Sequence, residues 1–278
     1  MGDVFSGLEA LGFSDIDNID IYEEDKKEVQ DNSDDPAPAV EERDYEAEVL
    51  FQKTIECPCC YNEFKYKAVR SGKLKAMEPD TDLRPRFEKV DVLKYDAIVC
   101  PKCGYSGLTR YFEVITEGQK KLVREQVTAS FKGIDDSGDK LSYDDAILRH
   151  KLCLLNSVVK KGKFGEKAYI SLKMAWLFRG QIEEALEKDS SSDVKGLRKE
   201  ELTNLKNAYD GFYQAIMKES MPICGMDQDT ITYLMAELAR ELGQTDVSKQ
   251  WLSKLLTSRG LSRRLKERAM ELKGKLLS

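Results

Sequence analysis

Histidine is nearly missing from this chain: one stands among 278 residues, His150. Catalytic zinc sites normally draw on histidine or carboxylate ligands and keep one coordination position open, so a histidine-rich metal hydrolase centre is excluded. His150 falls in a helical stretch and reads as a packed or exposed helix residue and not as a ligand. Long apolar runs are missing too. No stretch approaches the roughly 18 consecutive apolar residues of a transmembrane helix, so no membrane span is expected. Residues 1–6, Met-Gly-Asp-Val-Phe-Ser, have neither the basic region nor the apolar core of a secretory signal. They match the loose Met-Gly-x-x-x-Ser myristoylation pattern, against which the acidic Asp3 weighs. With no glycine-rich phosphate loop and no nucleophile motif, the expectation is a protein that is not an enzyme. Seven cysteines without a signal point to reduced thiols in the cytoplasm.

Four of those cysteines form two matched pairs. Cys57-Pro58-Cys59-Cys60 and Cys100-Pro101-Lys102-Cys103-Gly104 are both C-P-x-C turns, with 39 residues between them. Each turn brings two sulfurs to one side of a tight loop, and two such turns build one tetrahedral thiolate site, usually for Zn²⁺. The expected ligands are Cys57, Cys60, Cys100 and Cys103. Cys59 is the odd thiol, either a substitute for Cys60 or, as favoured here, a spare surface group. Glycine after the second cysteine admits positive φ, as at Gly104. The first turn has Tyr61 and Asn62 instead, and Asn62 is expected to take the left-handed conformation. Phe64, Tyr66 and Tyr105 would supply an apolar pad. A redox dithiol normally opens a helix beside a parallel strand. Here residues 64–70 alternate like a strand, and residues 94–99 read as another. Thiol redox chemistry and an iron–sulfur cluster remain the alternative readings.

Charge is unevenly spread. Residues 1–56 hold 18 acidic and 4 basic residues, a balance of −14, whereas residues 57–278 balance at +8. Such acidic blocks are usually solvated and disordered. Two readings follow, a solubilising tail or an intramolecular mask over a basic surface. Residues 2–13 break the acidic pattern with Val4, Phe5, Leu8, Leu11 and Phe13, either a docking segment or a frayed end. Residues 30–40 read as linker.

Three segments result: an acidic tail over 1–44, a zinc-ribbon-like module over 45–117 and a helical-hairpin domain over 118–278. Between the metal turns, residues 71–93 form a long charged loop. Asp80 and Asp82 beside Arg84 and Arg86 form either a site or, more commonly, loop salt bridges. From 118 onward the period is helical. Stripes run through Ile147, Leu148, Leu152, Leu155 and Val159, through Ala168, Leu172, Ala175 and Trp176, and through Leu202, Leu205, Tyr209, Phe212 and Ile216. Ile231, Leu234, Met235, Leu238 and Leu242 follow, then Trp251, Leu252, Leu255 and Leu256. Gly162, Gly180, Gly225, Gly243 and Gly260 are expected at helix breaks, and Asp227 and Asp229 as N-caps. Cys153 and Cys224 read as small apolar helix residues. Gly243 with Ser248, Leu252 and Leu255 fits the turn and second helix of a tetratricopeptide repeat, although the 34-residue period does not recur cleanly.

The chain resembles an uncharacterised bacterial family, the domain of unknown function 2225 family, in which two C-P-x-C knuckles precede tetratricopeptide-like helices. Besides the knuckles, the resemblance rests on residues 69–74 (Val-Arg-Ser-Gly-Lys-Leu), 80–84 (Asp-Thr-Asp-Leu-Arg), 95–105 and 175–179 (Ala-Trp-Leu-Phe-Arg), and covers roughly residues 48–278. It implies a bacterial, cytoplasmic source and no assigned activity. Tyr61 departs from the glycine usual there. The expected fold is α+β, a small zinc-ribbon-like β module followed by an all-α array of antiparallel helical hairpins. The expected function is non-catalytic binding of a protein or peptide partner. Nucleic-acid binding is the alternative, since residues 57–75 carry five Lys/Arg against one Glu; the acidic overall balance makes that partner unlikely.

Overall fold

The computed structural model describes Gly12, residues 44–188 and residues 193–277. Apart from Gly12 and Asp44, the expected acidic tail and its apolar segment lie outside the described residues. Helix α1 (Tyr45–Val49) is capped by Asp44, whose carboxylate accepts from the Ala47 amide. It leads into strand β1 (Leu50–Glu56), which pairs antiparallel with β2 (Glu63–Val69) from Leu50↔Val69 to Glu56↔Glu63. Strands β3 (Ala97–Val99) and β4 (Ser106–Leu108) form a second antiparallel hairpin in a separate sheet. Helix α2 (Glu117–Val123) runs into a π-turn at Arg124–Thr128. Then come α3 (Tyr143–Val159), α4 (Phe164–Glu187), α5 (Val194–Lys218), α6 (Gln228–Glu241), α7 (Thr245–Leu256) and α8 (Arg263–Lys275). The architecture is the expected one, a two-hairpin β region followed by an all-helical array.

Contacts along the helices fix their directions. Lys160, just beyond α3, pairs with Glu166 near the start of α4, and Gln181 near the end of α4 bonds Asp144 at the start of α3. Arg179 reaches Glu201 while the Gly165 amide reaches Glu219, so α4 and α5 are antiparallel. Helices α6 and α7 reverse at Gly243, whose φ of +73° calls for glycine. Ser248 of α7 donates to the Ala236 carbonyl of α6. The β hairpins pack on the first of these helices: Ile98, Tyr105 and Leu108 share one apolar cluster with Leu152, Cys153 and Leu155 of α3.

Several local expectations differ. Residues 94 and 95 belong to a 3₁₀ turn over Val92–Tyr95, and the strand starts at Ala97. Gly180 lies inside α4, because a Cβ there would sit 2.6 Å from the Tyr143 hydroxyl; it is a packing glycine and no break. Asp227 does cap α6, accepting from the Thr230 amide at 2.8 Å, whereas Asp229 lies in its first turn. Cys224 sits between α5 and α6 with φ +49°. Leu205 and Phe212 of the α5 stripe are buried, but Leu202 is exposed.

The loop between the metal turns is pinned to the helices by charge. Asp82 is fully buried and accepts from the Trp176 indole at 2.7 Å and from Arg179 at 2.9 Å. Arg179 also holds Glu201 and Glu241, both at 2.7 Å. Arg84, equally buried, pairs with Asp91 and Glu183 at 3.1 Å, and Arg86 pairs with Glu183 at 2.6 Å. Tyr233 donates to the Thr81 carbonyl, and Arg268 donates to the Asp80 and Pro79 carbonyls. One loop therefore ties α4, α5, α6 and α8 together, and Asp80, Asp82, Arg84 and Arg86 are its salt-bridge residues.

Removing one member of a buried ionic cluster leaves its partners uncompensated, at a cost of about 3–5 kcal/mol. Arg179→Met should destabilise the chain by roughly that amount in urea unfolding, since Asp82, Glu201 and Glu241 lose their shared cation; a change under about 1 kcal/mol would contradict the pin. Burial and then the Asp82 charge push the Glu241 carboxyl up to about 7. The folded chain thus binds this proton more tightly than the unfolded chain does. The stabilisation is complete below about pH 4.5 and is lost as pH rises through about 7. Glu241→Gln should therefore gain on the wild type between about pH 5 and pH 8, by on the order of 2 kcal/mol in unfolding free energy. A difference independent of pH would refute the assignment.

Candidate metal centre

Each C-P-x-C turn is the tip of one hairpin. Residues 57–62 connect β1 to β2, and residues 100–105 connect β3 to β4. The two tips repeat the same hydrogen bonds. The Cys57 amide donates to the Asn62 carbonyl and the Cys57 carbonyl accepts from the Tyr61 amide, at 2.9 and 2.8 Å. The Cys100 amide donates to Tyr105 and the Cys100 carbonyl accepts from Gly104, at 2.9 and 3.0 Å. The residue after the last cysteine takes positive φ in both, +58° at Tyr61 and +71° at Gly104. Tyr61 itself, and not Asn62, adopts the left-handed conformation. A non-glycine residue pays on the order of 1–2 kcal/mol there, and Tyr61 recovers part of it at the surface. Its hydroxyl accepts from Lys120 at 3.2 Å, and the ammonium lies 5.2 Å from the ring centroid.

The sulfurs of Cys57, Cys60, Cys100 and Cys103 all lie within 4.8 Å of one another. Two contacts cross between the tips, Cys57 to Cys103 and Cys60 to Cys100, both at 3.6 Å. A tetrahedron with metal–sulfur bonds of about 2.3 Å has edges of about 3.8 Å, so the spacing fits a metal ion. It is far beyond the ~2.05 Å of a disulfide. Without a cation the thiols cannot all ionise side by side. The Cys57 thiol is pushed up to about 12, first by its contact with Cys100, while hydrogen bonding from Cys103 holds Cys100 low. Cys103 is pushed up by Cys100 and Cys57. A divalent cation would remove this conflict by stabilising every thiolate at once.

Cys59 corrects the surface reading. It is fully buried, its sulfur faces the Lys120 carbonyl at 3.9 Å, and it stands outside the four-sulfur group. The pad appears as expected. Phe64, Tyr66 and Tyr105 are buried, and Phe112 joins them, its ring 5.1 Å from Tyr105 and 6.1 Å from Phe64. His150 is buried in α3, bonded through Nδ1 to the Ala146 carbonyl at 2.7 Å, and burial lowers its pKa to about 4. It lies outside the sulfur cluster.

Three residues unmarked by sequence reasoning hold the tips in place. Arg124 donates to the Cys59 carbonyl through Nε and Nη2 at 3.1 and 2.6 Å. Thr128 donates to the Cys103 carbonyl at 2.9 Å. Asn156 of α3, fully buried, donates to the Gly104 carbonyl at 3.0 Å and to Ser106 at 2.7 Å. Arg124 also brings positive charge beside sulfurs that carry net negative charge once metallated.

A family described as "Uncharacterized protein conserved in bacteria (DUF2225)" matches residues 50–276. No curated protein and no solved structure matches the chain.

The two tips should respond differently to substitution. A Cβ at Gly104 would lie 2.6 Å from Phe131 Cγ, so Gly104→Ala should cost roughly 2–4 kcal/mol through strain and clash. Tyr61→Gly should change stability by less than about 1 kcal/mol, because relief of strain is offset by unfolded-chain entropy and the lost Lys120 contact. Urea unfolding that ranked the two in the opposite order would refute this account.

Proposed function

This chain belongs to that uncharacterised bacterial family, and we propose that it is a non-catalytic interaction protein whose Cys57, Cys60, Cys100 and Cys103 hold a structural Zn²⁺ and whose helical array binds a protein or peptide. Four thiolates complete a tetrahedron and leave no position for substrate or reactive water, as structural zinc sites do. The observation that carries the binding role is the outer face of α5. Leu202, Tyr213 and Met217 are 41%, 45% and 68% exposed, and their spacing of 11 and 4 residues places them on one side of the helix. Tyr209 continues the stripe, and the Trp251 indole of α7 donates to its hydroxyl at 3.0 Å. Tyrosine, tryptophan and methionine are the side chains protein interfaces favour.

The nucleic-acid reading is weaker. Of the five cations in residues 57–75, Lys67 is buried against Asp136, Arg70 donates to the Leu50 carbonyl and Lys75 pairs with Glu88. Redox use of a single C-x-x-C pair is disfavoured because all four sulfurs of both tips gather within 4.8 Å of one another, as one shared site requires. Among the described residues no helix is long and apolar enough to cross a membrane, and a cytoplasmic location is part of the proposal.

Elemental analysis of protein purified without chelators should give one zinc per chain, with the metal lost in Cys57→Ser or Cys103→Ser and retained in Cys59→Ser. Stoichiometric iron, or zinc retained by the first two variants, would overturn the assignment. For the partner, full-length wild type and the Tyr213→Lys/Met217→Lys double variant are compared as baits in bacterial lysate, with circular dichroism showing both folded. Proteins retained by the wild type and lost from the variant support the α5 face; identical captures, or none, sink it.

A further inference from the structure

Residues 259–277 hold seven basic residues and two acidic ones. Helix α8 carries most of them, and its inner face is fixed to the body. Ala269 and Leu272 are buried in one cluster with Tyr233 of α6 and with Leu252 and Leu255 of α7, and Leu265 packs against it. Arg268 is turned inward as well. It donates to the Asp80 and Pro79 carbonyls and lies 3.2 Å from the Glu78 carboxylate. With the inner face pinned, the outer face is presented on a rigid element.

A helix turns about 100° per residue, so Arg263, Lys266, Met270 and Lys273 fall within an arc of about 80° on the outer side of α8. All four are exposed, Met270 by 51%. Arg259 just before the helix and Arg264 beside the row are exposed too. Arg263 meets Glu267 of its own helix at 2.9 Å. Arg259, Arg264, Lys266 and Lys273 have no acidic partner among the described residues. On other helices, surface cations are countered within one turn: Lys188 by Glu184, Lys206 by Asp210, Arg240 by Glu237. Like charges one turn apart repel, as Arg263 and Lys266 do here, and an arriving anion turns that repulsion into attraction. The row is only one helix wide, and the exposed Glu267 and Glu271 border it. A nucleic-acid duplex or an anionic bilayer spreads its phosphates over a broad surface and would press them on those carboxylates. Met270, between Lys266 and Lys273, also calls for an apolar neighbour, which a phosphate backbone lacks.

We propose that the outer face of α8 docks an acidic peptide segment of a partner protein, one that carries carboxylates on both sides of an apolar side chain. The carboxylates pair with Lys266 and Lys273, which stand about 10 Å apart along the helix, and the apolar side chain covers Met270. Arginine and methionine are side chains that interfaces favour. Arg263 at one end of the row extends the cationic track. This surface is separate from the α5 face and requires neither that face nor the metal.

Fluorescence anisotropy with the full-length chain tests the proposal, using two labelled synthetic peptides, one of Glu-Glu-Leu repeats and one of Glu alone. The wild type should bind the Glu-Glu-Leu peptide and lose affinity as salt rises. Lys266→Glu/Lys273→Glu, shown folded by circular dichroism, should bind it about tenfold more weakly, since two attractions become two repulsions. Met270→Ser should weaken the Glu-Glu-Leu peptide about threefold, through the lost apolar contact, and leave the all-Glu peptide unchanged. Tyr213→Ser/Met217→Ser should bind as the wild type does, which separates failure here from failure of the α5 reading. Equal affinity in the wild type and the charge-reversed variant, or no binding of either peptide, would overturn the proposal. So would duplex DNA or phosphatidylglycerol vesicles that bind more tightly than the peptide and are lost in the same variant.

Discussion

Two hairpins in separate sheets meet at four sulfur atoms, and that meeting is the constraint on which the β region depends. Strands β1–β2 and β3–β4 are each short, and an isolated two-stranded hairpin is marginal in water. The sulfur cluster joins their tips, with 3.6 Å contacts running from one hairpin to the other. Thiols that crowd within 4.8 Å oppose one another's ionisation. The same crowding becomes attractive once a divalent cation is shared. Metal affinity and folding of the hairpins are then one free energy.

The second constraint is ionic. Loop 71–93 connects the hairpins and also inserts Asp82 and Arg84 among the helices. Carboxylates and guanidinium groups at that depth persist because each has a partner: Asp82 with Arg179 and the Trp176 indole, Arg84 with Asp91 and Glu183. Such clusters add little stability over an apolar core of the same shape, yet they punish a wrong partner heavily. Their contribution here is to register, fixing which helices the loop touches.

Features with a short sequence period were legible before the structure. The C-x-x-C spacing named the four clustered cysteines, and the 3.6-residue period named the helices. What stayed hidden required contacts distant in sequence. Arg124, Thr128 and Asn156 look like ordinary polar helix residues, and nothing local shows that they bond carbonyls of the metal turns. Gly180 looks in the sequence like a terminating glycine, because only the Tyr143 ring packed over it marks it as a packing one. The burial of Cys59 is hidden in the sequence because neither exposure nor the Arg124 clamp on its carbonyl can be read from C-P-C-C. Leu202 fits the apolar period of α5 but faces outward, since periodicity identifies a stripe without saying what covers it.

The same hidden contacts make the two ends of the molecule interdependent. Asn156 bonds the second metal turn and stands on α3, which packs against α4. Helix α4 carries Arg179, whose guanidinium reaches Glu201 of α5 and Glu241 of α6. The Asn156 and Arg179 contacts on this path are buried or half-buried and the Gln181–Asp144 bond is exposed, and through them each element takes its position from the one before it. A ligand that binds only the folded arrangement stabilises all of the structure coupled to it. Metal at the sulfur cluster and a partner on the α5 face would therefore act on one equilibrium, each favouring the arrangement the other requires. The strength of that coupling is set by the weakest link on the path, and the Arg179 cluster is where the largest number of elements converge.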